Sequence, residues 1–443
     1  MAGGTWTSFN KERPGIYVNT VGEGKPVGTI SDRGIAALPL PLPWGTDGII
    51  VLDSDTYNQQ SLAKIGYYSG SPVIRHITAC VSKVRRLLLY RLNGDGAAKA
   101  TATIGTMTAT AAYGGTRGND LTVSVQESLD EEGAFDVYTY LQGEEVDRQT
   151  VKTIEDLTAN SFVTFSGTGA LEPTAGVNLT GGTDGEVTGD SFSKAFNAFE
   201  SETFNTLGVP TEDDLVKALA VAFTKRMRED VGKKFNCVLA NYPQADYEGI
   251  VSLKNSIITT DGLTVPIDHF LCEITGMEAA AEVNESLTYR SIENAADAYP
   301  KLTDSEIRQA LKNGEMVITS ENGKVRIEQD INTFTSYTPT KPRAFSKNRT
   351  IRVLDAIAND FYQIFSDFYI GKVNNDADGR NLLKNECINY LNNLQNMGAI
   401  QEFDSQNDIT VSPVDGHDDS VYIEAYIKVT DSIEKIYVLV TAR

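Results

Sequence analysis

The sequence predicts a multidomain α/β and α+β chain with an acidic, β-rich insertion. Three observations carry this reading. First, 443 residues exceed what one ordinary core organises, pointing to two to four domains. Second, the stretch from Gly96 to Asp190 holds 4 basic and 15 acidic residues, about half of the chain's net charge of −21. It lacks cysteine and is rich in Thr and Gly. Third, helical periodicities alternate with short apolar strands after Ser191, the pattern of an α/β layer.

The elements follow in order. A polar leader precedes a short β-prone run, Arg13–Asn19 (RPGIYVN). In the acidic segment, strands are expected at Leu121–Gln126, Phe135–Gln142 and Phe162–Ser166, with turns at Gly114-Gly115 and Gly181-Gly182. Such short runs suit a sandwich or a small barrel, and their single-sign charge needs water around it. Phe192, Ala195, Phe196 and Phe199 then mark a helix at i, i+3, i+4 and i+7. A second helix is expected from a Thr211 cap with Asp214 as its capping-box partner, burying Leu215, Ala218, Leu219, Ala222 and Phe223. Phe235–Ala240 reads as a buried strand, and Tyr247–Asn255 and Ala279–Ser286 as helices. Thr303 and Glu306 form a capping box for a helix that stops at Gly314. Asn322-Gly323 closes a hairpin of Glu315–Ser320 and Lys324–Gln329.

The last hundred residues form a separate α+β domain. One amphipathic helix spans Thr350–Ile370, with Ile351, Leu354, Ile357, Ala358, Phe361, Phe365 and Phe368 inward. A second spans Gly379–Met397, with Leu383, Cys387, Leu391 and Leu394 inward. Strands are expected at Ile409–Ser412, Val421–Thr430 and Ile436–Thr441.

Most chemistry is disfavoured. A pI near 4.6 argues against a dedicated nucleic-acid binder and against docking on anionic lipid. Met1–Phe9 has no basic segment leading into an apolar run, so no secretory signal is expected, and no run reaches the ~18 apolar residues of a membrane helix. Cys80, Cys237, Cys272 and Cys387 lack ligand-like spacing and read as buried thiols. Gly22–Lys25 fails as a phosphate loop because Pro26 replaces the Ser or Thr. Asn374–Gly379 resembles half a calcium loop but lacks the closing Glu. Glu144, Glu145 and Asp147 sit in a polar turn without an evident pocket. The three histidines, His76, His269 and His417, have no nucleophile elbow to serve, although Asp268-His269 leaves a hydrolase as one rival reading. No catalytic residue, cofactor or metal is expected.

Two features point to partners. Lys341, Arg343, Lys347, Arg349 and Arg352 form the one dense basic cluster. Phe345 and Tyr337 nearby allow single-stranded nucleic acid to be imagined, but in so acidic a chain an ionic contact with an acidic protein surface, such as another copy, is favoured. The strands at the chain ends, Ile16, Tyr17, Val18 and Asn19, and Ile436, Tyr437, Val438, Leu439, Val440 and Thr441, either fill edges in their own subunit or augment a neighbour's sheet. Exchange of this heterologous kind does not close and generates a helical assembly.

Chain order and local wording resemble the tail sheath proteins of contractile phages and R-type bacteriocins. The matching pieces are Arg13–Asn19, Leu38–Gly45 (LPLPLPWG), Asp261–Pro266 (DGLTVP), the late helical pair and Val429–Val440 (VTDSIEKIYVLV). The resemblance implies an N-terminal arm (1–20), an N-terminal α/β portion (21–95) and an outward acidic β-sandwich (96–188). It further implies a non-catalytic subtilisin-like α/β domain (189–335), a C-terminal α+β domain (336–432) facing an inner tube, and a C-terminal strand arm (433–443). It implies a helical homo-oligomer with tube, baseplate and tail-terminator proteins as partners, without nucleic acid or membrane insertion. Assembly would occur in the bacterial cytoplasm, and the mature protein would reside in a virion tail or released bacteriocin. A monomeric surface-binding protein using the acidic domain is the other rival.

Without a complete phosphate loop, contraction would draw on energy stored in a metastable lattice, with the Lys341–Arg352 cluster as its candidate ionic grip. Reversing two of those charges is expected to shift or abolish assembly; wild-type tubes from such a variant, seen by negative stain, remove the cluster from the mechanism.

Overall fold

The computed structural model describes residues 30–442 and, ahead of them, the backbone of Gly3–Gly4 and Ile16–Tyr17, which pair in parallel. Val18 and Asn19 lie outside the described residues. Residues 32–359 with 429–443 form a larger compact unit; residues 360–428, with what is described of 1–31, form a smaller one. Residues 336–359 and 429–432 lie in the larger of these compact units.

The larger unit is organised by a seven-stranded sheet in the order Glu315–Met316, Ile250–Leu253, Asn236–Ala240, Thr206–Gly208, Ile35–Leu40, Arg86–Arg91, Gly48–Asp53. All neighbours are parallel except the last pair. Pro39, which lacks a ladder donor, is tolerated because Thr206–Gly208 pairs only as far as Ala37, leaving the strand one-sided beyond it. Successive side chains face opposite layers. Ala37, Leu207, Cys237 and Leu239 pack in one core; Ala36, Leu38, Val238 and Ala240 face the other side.

Helices α1 (Tyr57–Ile65), α2 (Arg75–Val81), α3 (Gly189–Glu200), α4 (Asp214–Arg226), α5 (Ile267–Ala280) and α6 (Asp304–Lys312) complete this unit, along with the first part of α7 (Asn348–Phe368). The α3 and α4 faces meet through Phe196 stacked on Phe223 at 5.0 Å, and in the same core Phe204, after α3, packs against Phe235, just before the strand Asn236–Ala240, at 4.6 Å. On α6 the Thr303/Glu306 capping box forms, and Asn322 and Gly323 both adopt positive φ, as a two-residue hairpin turn requires.

Three expectations are corrected. The α4 cap is Asp213, whose carboxylate accepts the Leu215 N–H at 2.8 Å. Its buried stripe is Val216, Ala220, Phe223 and Met227, so Leu215 is 81% exposed. The expected helix at Tyr247–Asn255 is instead the strand Ile250–Leu253, buried along its length and paired on both edges. Two-sided burial erases the period that separates strand from helix. The expected helix at Ala279–Ser286 is only the end of α5, which starts at Ile267.

The acidic segment is a two-sheet sandwich. Four antiparallel strands run in the order Glu144–Val151, Phe135–Leu141, Leu121–Glu127, Thr174–Asn178; three run Val163–Ser166, Met107–Ala111, Thr101–Ile104. It is seated firmly on the sheet that carries it. Trp44 enters its core, edge-on to Tyr113 at 5.2 Å, while its indole N–H donates to the Ala63 carbonyl at 3.0 Å. Buried Arg91 spends its guanidinium on the carbonyls of Leu42, Gly45 and Gly114 at 2.9, 2.7 and 2.8 Å. Gly115, at φ +130°, passes so close to Pro43 that a Cβ there would lie 2.1 Å from its carbonyl oxygen.

In the smaller unit, Leu383, Cys387, Leu391 and Leu394 of α8 (Ala377–Asn396) are buried as expected, whereas Phe368 at the end of α7 is about half-exposed. Buried Tyr390 donates its hydroxyl to Asp360 at 2.6 Å and meets Phe361 edge-on. Ile409–Val414 and His417–Ala425 form a two-stranded hairpin.

Gly115→Ala combines a left-handed backbone with a main-chain clash and is expected to cost more than about 2 kcal/mol. Thermal or urea unfolding of the variant, with the sandwich destabilised relative to wild type, checks this.

Candidate assembly site

From Thr430 onward the chain forms no strand among the described residues, although its composition is strongly β-prone. Ile433, Ile436, Tyr437, Val438, Leu439 and Val440 are between 76% and 92% exposed. The sequence expectation of a strand at Ile436–Thr441 therefore meets a segment that pairs with no strand among the described residues. A contiguous apolar stretch of this kind marks an interaction surface. Burying each large side chain against a partner is worth roughly 1.5–3 kcal/mol before ordering costs.

The root of this arm is held. Glu434 accepts hydrogen bonds from Lys347, from Gln329 Nε2 at 2.6 Å and from Thr288 Oγ1 at 3.0 Å. Burial opposes the Glu434 charge, but the bonds from Lys347 and Gln329 and the Lys347 charge outweigh it, holding the carboxyl below its usual range.

Directly beneath lies a buried ionic cluster. Arg352, 1% exposed, donates through Nη2 to Glu278 at 3.1 Å and to Asp330 at 2.9 Å, and through Nη1 to the Glu285 carbonyl. Asn348 donates to both carboxylates, at 3.0 and 2.8 Å, and the Leu287 N–H adds a 2.9 Å bond to Asp330. Arg33 reaches the carbonyls of Ala281 and Glu278, sealing the end of α5. Burial and then the Asp330 charge push the Glu278 carboxyl well above the usual range, whereas Asp330, despite burial, is held low first by Arg352. Asp330 is thus the more acidic partner of Arg352, and Glu278 holds its proton to higher pH than an ordinary carboxyl. A second buried pair fixes the same helix: Arg228 grips Asp355 bidentately at 2.6 and 2.7 Å.

These contacts take Arg352 and Lys347 out of the basic cluster read as a surface grip. Arg352 is sealed inside its own subunit. Lys347 is paired with Glu434, and Lys341 reaches Glu248 at 2.5 Å while lying near the Tyr247 ring. Arg349 is half-buried and lies within the field of Asp431; Arg343 is the exposed member. Nothing in the one-dimensional spacing distinguishes a charge on a helix surface from one turned inward to carboxylates 22 and 74 residues away.

In the smaller unit, the hairpin exposes Val421 and Tyr422, and Tyr426 follows it. Asn375 braces its turn by donating to the carbonyls of Asp418 and Ser420. No third strand joins the hairpin among the described residues, which leaves it as a two-stranded sheet with open edges apart from the Asn375 contacts.

The other candidates resolve simply. His76 and His269 stack at 4.3 Å; burial, then the neighbouring His269, lowers the His76 pKa to about 4, against the pull of Asp268. All four cysteines are buried free thiols. Among the described residues, no group of three or more His, Cys, Asp or Glu could hold a metal, and no helix is long and apolar enough to cross a membrane.

Comparison with known proteins agrees along most of the chain. Residues 94–184 match the phage tail sheath protein beta-sandwich domain, 185–333 the phage tail sheath protein central domain, and 340–443 the phage tail sheath C-terminal domain. The crystal structure of a sheath tail protein from Desulfitobacterium hafniense is 46% identical, covers 96% of this chain and 99% of its own, and superposes with a TM-score of 0.86. The phage-like element PBSX protein XkdK of Bacillus subtilis is 34% identical over 99% of both chains. The contracted helical sheath of the anti-feeding prophage shares the fold at 11% identity, covering 98% of this chain and 100% of its own, with a TM-score of 0.57.

Because Glu278 stays protonated in the folded state at pH values where the unfolded chain has lost that proton, its contribution to stability falls as pH rises above the ordinary carboxylate range. The slope is at most about 1.4 kcal/mol per pH unit. Glu278→Gln, neutral at every pH, is expected to flatten that decline; urea midpoints at pH 5, 7 and 9 check it.

Proposed function

This chain belongs to the phage tail sheath protein family, and we propose that it is the repeating subunit of a contractile sheath that polymerises helically around an inner tube. The observation that carries the assembly mechanism is the exposed apolar arm on a pinned root. Main-chain hydrogen bonds to a neighbour's open hairpin would satisfy both surfaces at once, with Ile436, Tyr437, Val438, Leu439, Val440 and Thr441 as the added strand. Ile16, Tyr17, Val18 and Asn19 are proposed as the corresponding strand at the other end. Such donation is heterologous and propagates into a helix.

The seven-stranded layer is read as subtilisin-like in arrangement and non-catalytic, since the His76–His269 pair lacks a nucleophile elbow in the sequence. Family membership disfavours the hydrolase and monomeric surface-binding readings. Contraction draws on the free-energy difference between an extended and a contracted lattice. About 1 kcal/mol per subunit, summed over many copies, makes the transition effectively one-way. Inner tube, baseplate and tail-terminator proteins are the proposed partners, with assembly in the bacterial cytoplasm before incorporation into a tail or bacteriocin particle. The acidic sandwich is placed outside, where water and counterions screen it.

Negative-stain microscopy of the protein with its tube protein supplied tests this reading. Full-length chain is expected to give ordered sheath, and chains lacking 1–20 or 433–443 to give none. Ordered sheath from the trimmed chains overturns strand donation.

A further inference from the structure

The C-terminal arm has two segments with opposite character. Residues 436–440 are exposed and apolar, yet two residues before them Glu434 is withdrawn from solvent, its side chain 12% exposed. An acidic side chain in an apolar, exposed tail has no reason to be buried unless a built site receives it. That site is present. Lys347, itself only 13% exposed, supplies the countercharge; Gln329 and Thr288 supply neutral donors.

The three donors come from separate parts of the chain, and each is adjacent in sequence to a member of the buried ionic cluster. Thr288 follows Leu287, which donates to Asp330; Gln329 precedes Asp330; Lys347 precedes Asn348 at the start of α7. Thr288 Oγ1 also accepts the Asp330 N–H at 3.0 Å, so one hydroxyl joins the two layers. Arg352 and Asn348 thereby hold in register the donors that receive Glu434.

We infer that Glu434 is the anchor of the C-terminal arm: its carboxylate, seated on Lys347, Gln329 and Thr288, fixes the arm's root to its own subunit and sets the direction in which residues 436–441 leave toward a second copy. This rests on the strand-donation reading above. The anchor shortens the free arm to the residues after Glu434, which reduces the orientations a neighbour must select among. It also routes tension in the arm to the donor's α7 and α5 through the ionic cluster.

The test uses full-length protein with Glu434→Gln, Glu434→Ala and Lys347→Met, the exchange Glu434→Lys with Lys347→Glu, and the chain lacking 433–443. In unassembled protein, trypsin cleavage after Lys435 is expected to accelerate at least tenfold in Glu434→Ala, while circular dichroism and melting of the body remain those of wild type. With the tube protein supplied, sheath yield is expected to fall at least tenfold in Glu434→Ala and Lys347→Met, to a smaller extent in Glu434→Gln, and to recover in the charge exchange. Wild-type cleavage and yield in the single variants, with the trimmed chain inactive, overturn the anchor and leave strand donation standing. Faster cleavage with unchanged yield likewise overturns the directing role. Sheath formed by the trimmed chain overturns strand donation itself.

Discussion

Burying Arg352 between Glu278 and Asp330 is the constraint around which the larger unit closes. A guanidinium taken from water is strongly unfavourable unless its partners are well placed, and removing one partner of such a group typically costs 3–5 kcal/mol. Here the partners come from the end of α5, the segment after the hairpin and the start of α7. Three stretches distant in sequence must meet before any of these charges is satisfied. Two carboxyls face one guanidinium there, and burial together with the Asp330 charge raises the proton affinity of Glu278, which eases their mutual repulsion. Arg228 with Asp355 repeats the device one turn along the same helix. The start of α7 is therefore rigidly placed, and with it Lys347.

Rigidity at the sandwich has a different source. Trp44 and Arg91 bridge the main sheet and the insertion without a single ion pair of short length, using an indole and three carbonyls. Glycine at 115 lets main chain touch main chain there. The acidic surface accordingly surrounds a domain that is fixed to its carrier.

Much of this was legible in the sequence where local chemistry decides local structure. The Thr303/Glu306 capping box, the Asn322-Gly323 turn, the phenylalanine stripe of α3 and the buried face of α8 all rest on neighbours within a turn or a hairpin. Legibility failed where distant chain supplies the environment. Ile250–Leu253 lost its period because sheet neighbours cover both edges, and α4 rotated its stripe so that Val216 and Met227, not Leu215, meet the core. Arg352 read as surface charge because its carboxylates are remote in sequence. The arm was recognisable as β-prone, yet the burial of Glu434 within it left no periodic trace.

The glycine-lined neck has a consequence for how this chain can vary. Because the sandwich meets its carrier through a few fixed contacts, and the arm's root lies on other elements, the two surfaces can diverge independently. The turn at 128–133, where Leu129 is fully exposed, lies between two strands of the sandwich and contributes to neither surface. A foreign peptide grafted there would be displayed once per subunit, at the spacing of the lattice, turning a mechanical part into a periodic scaffold.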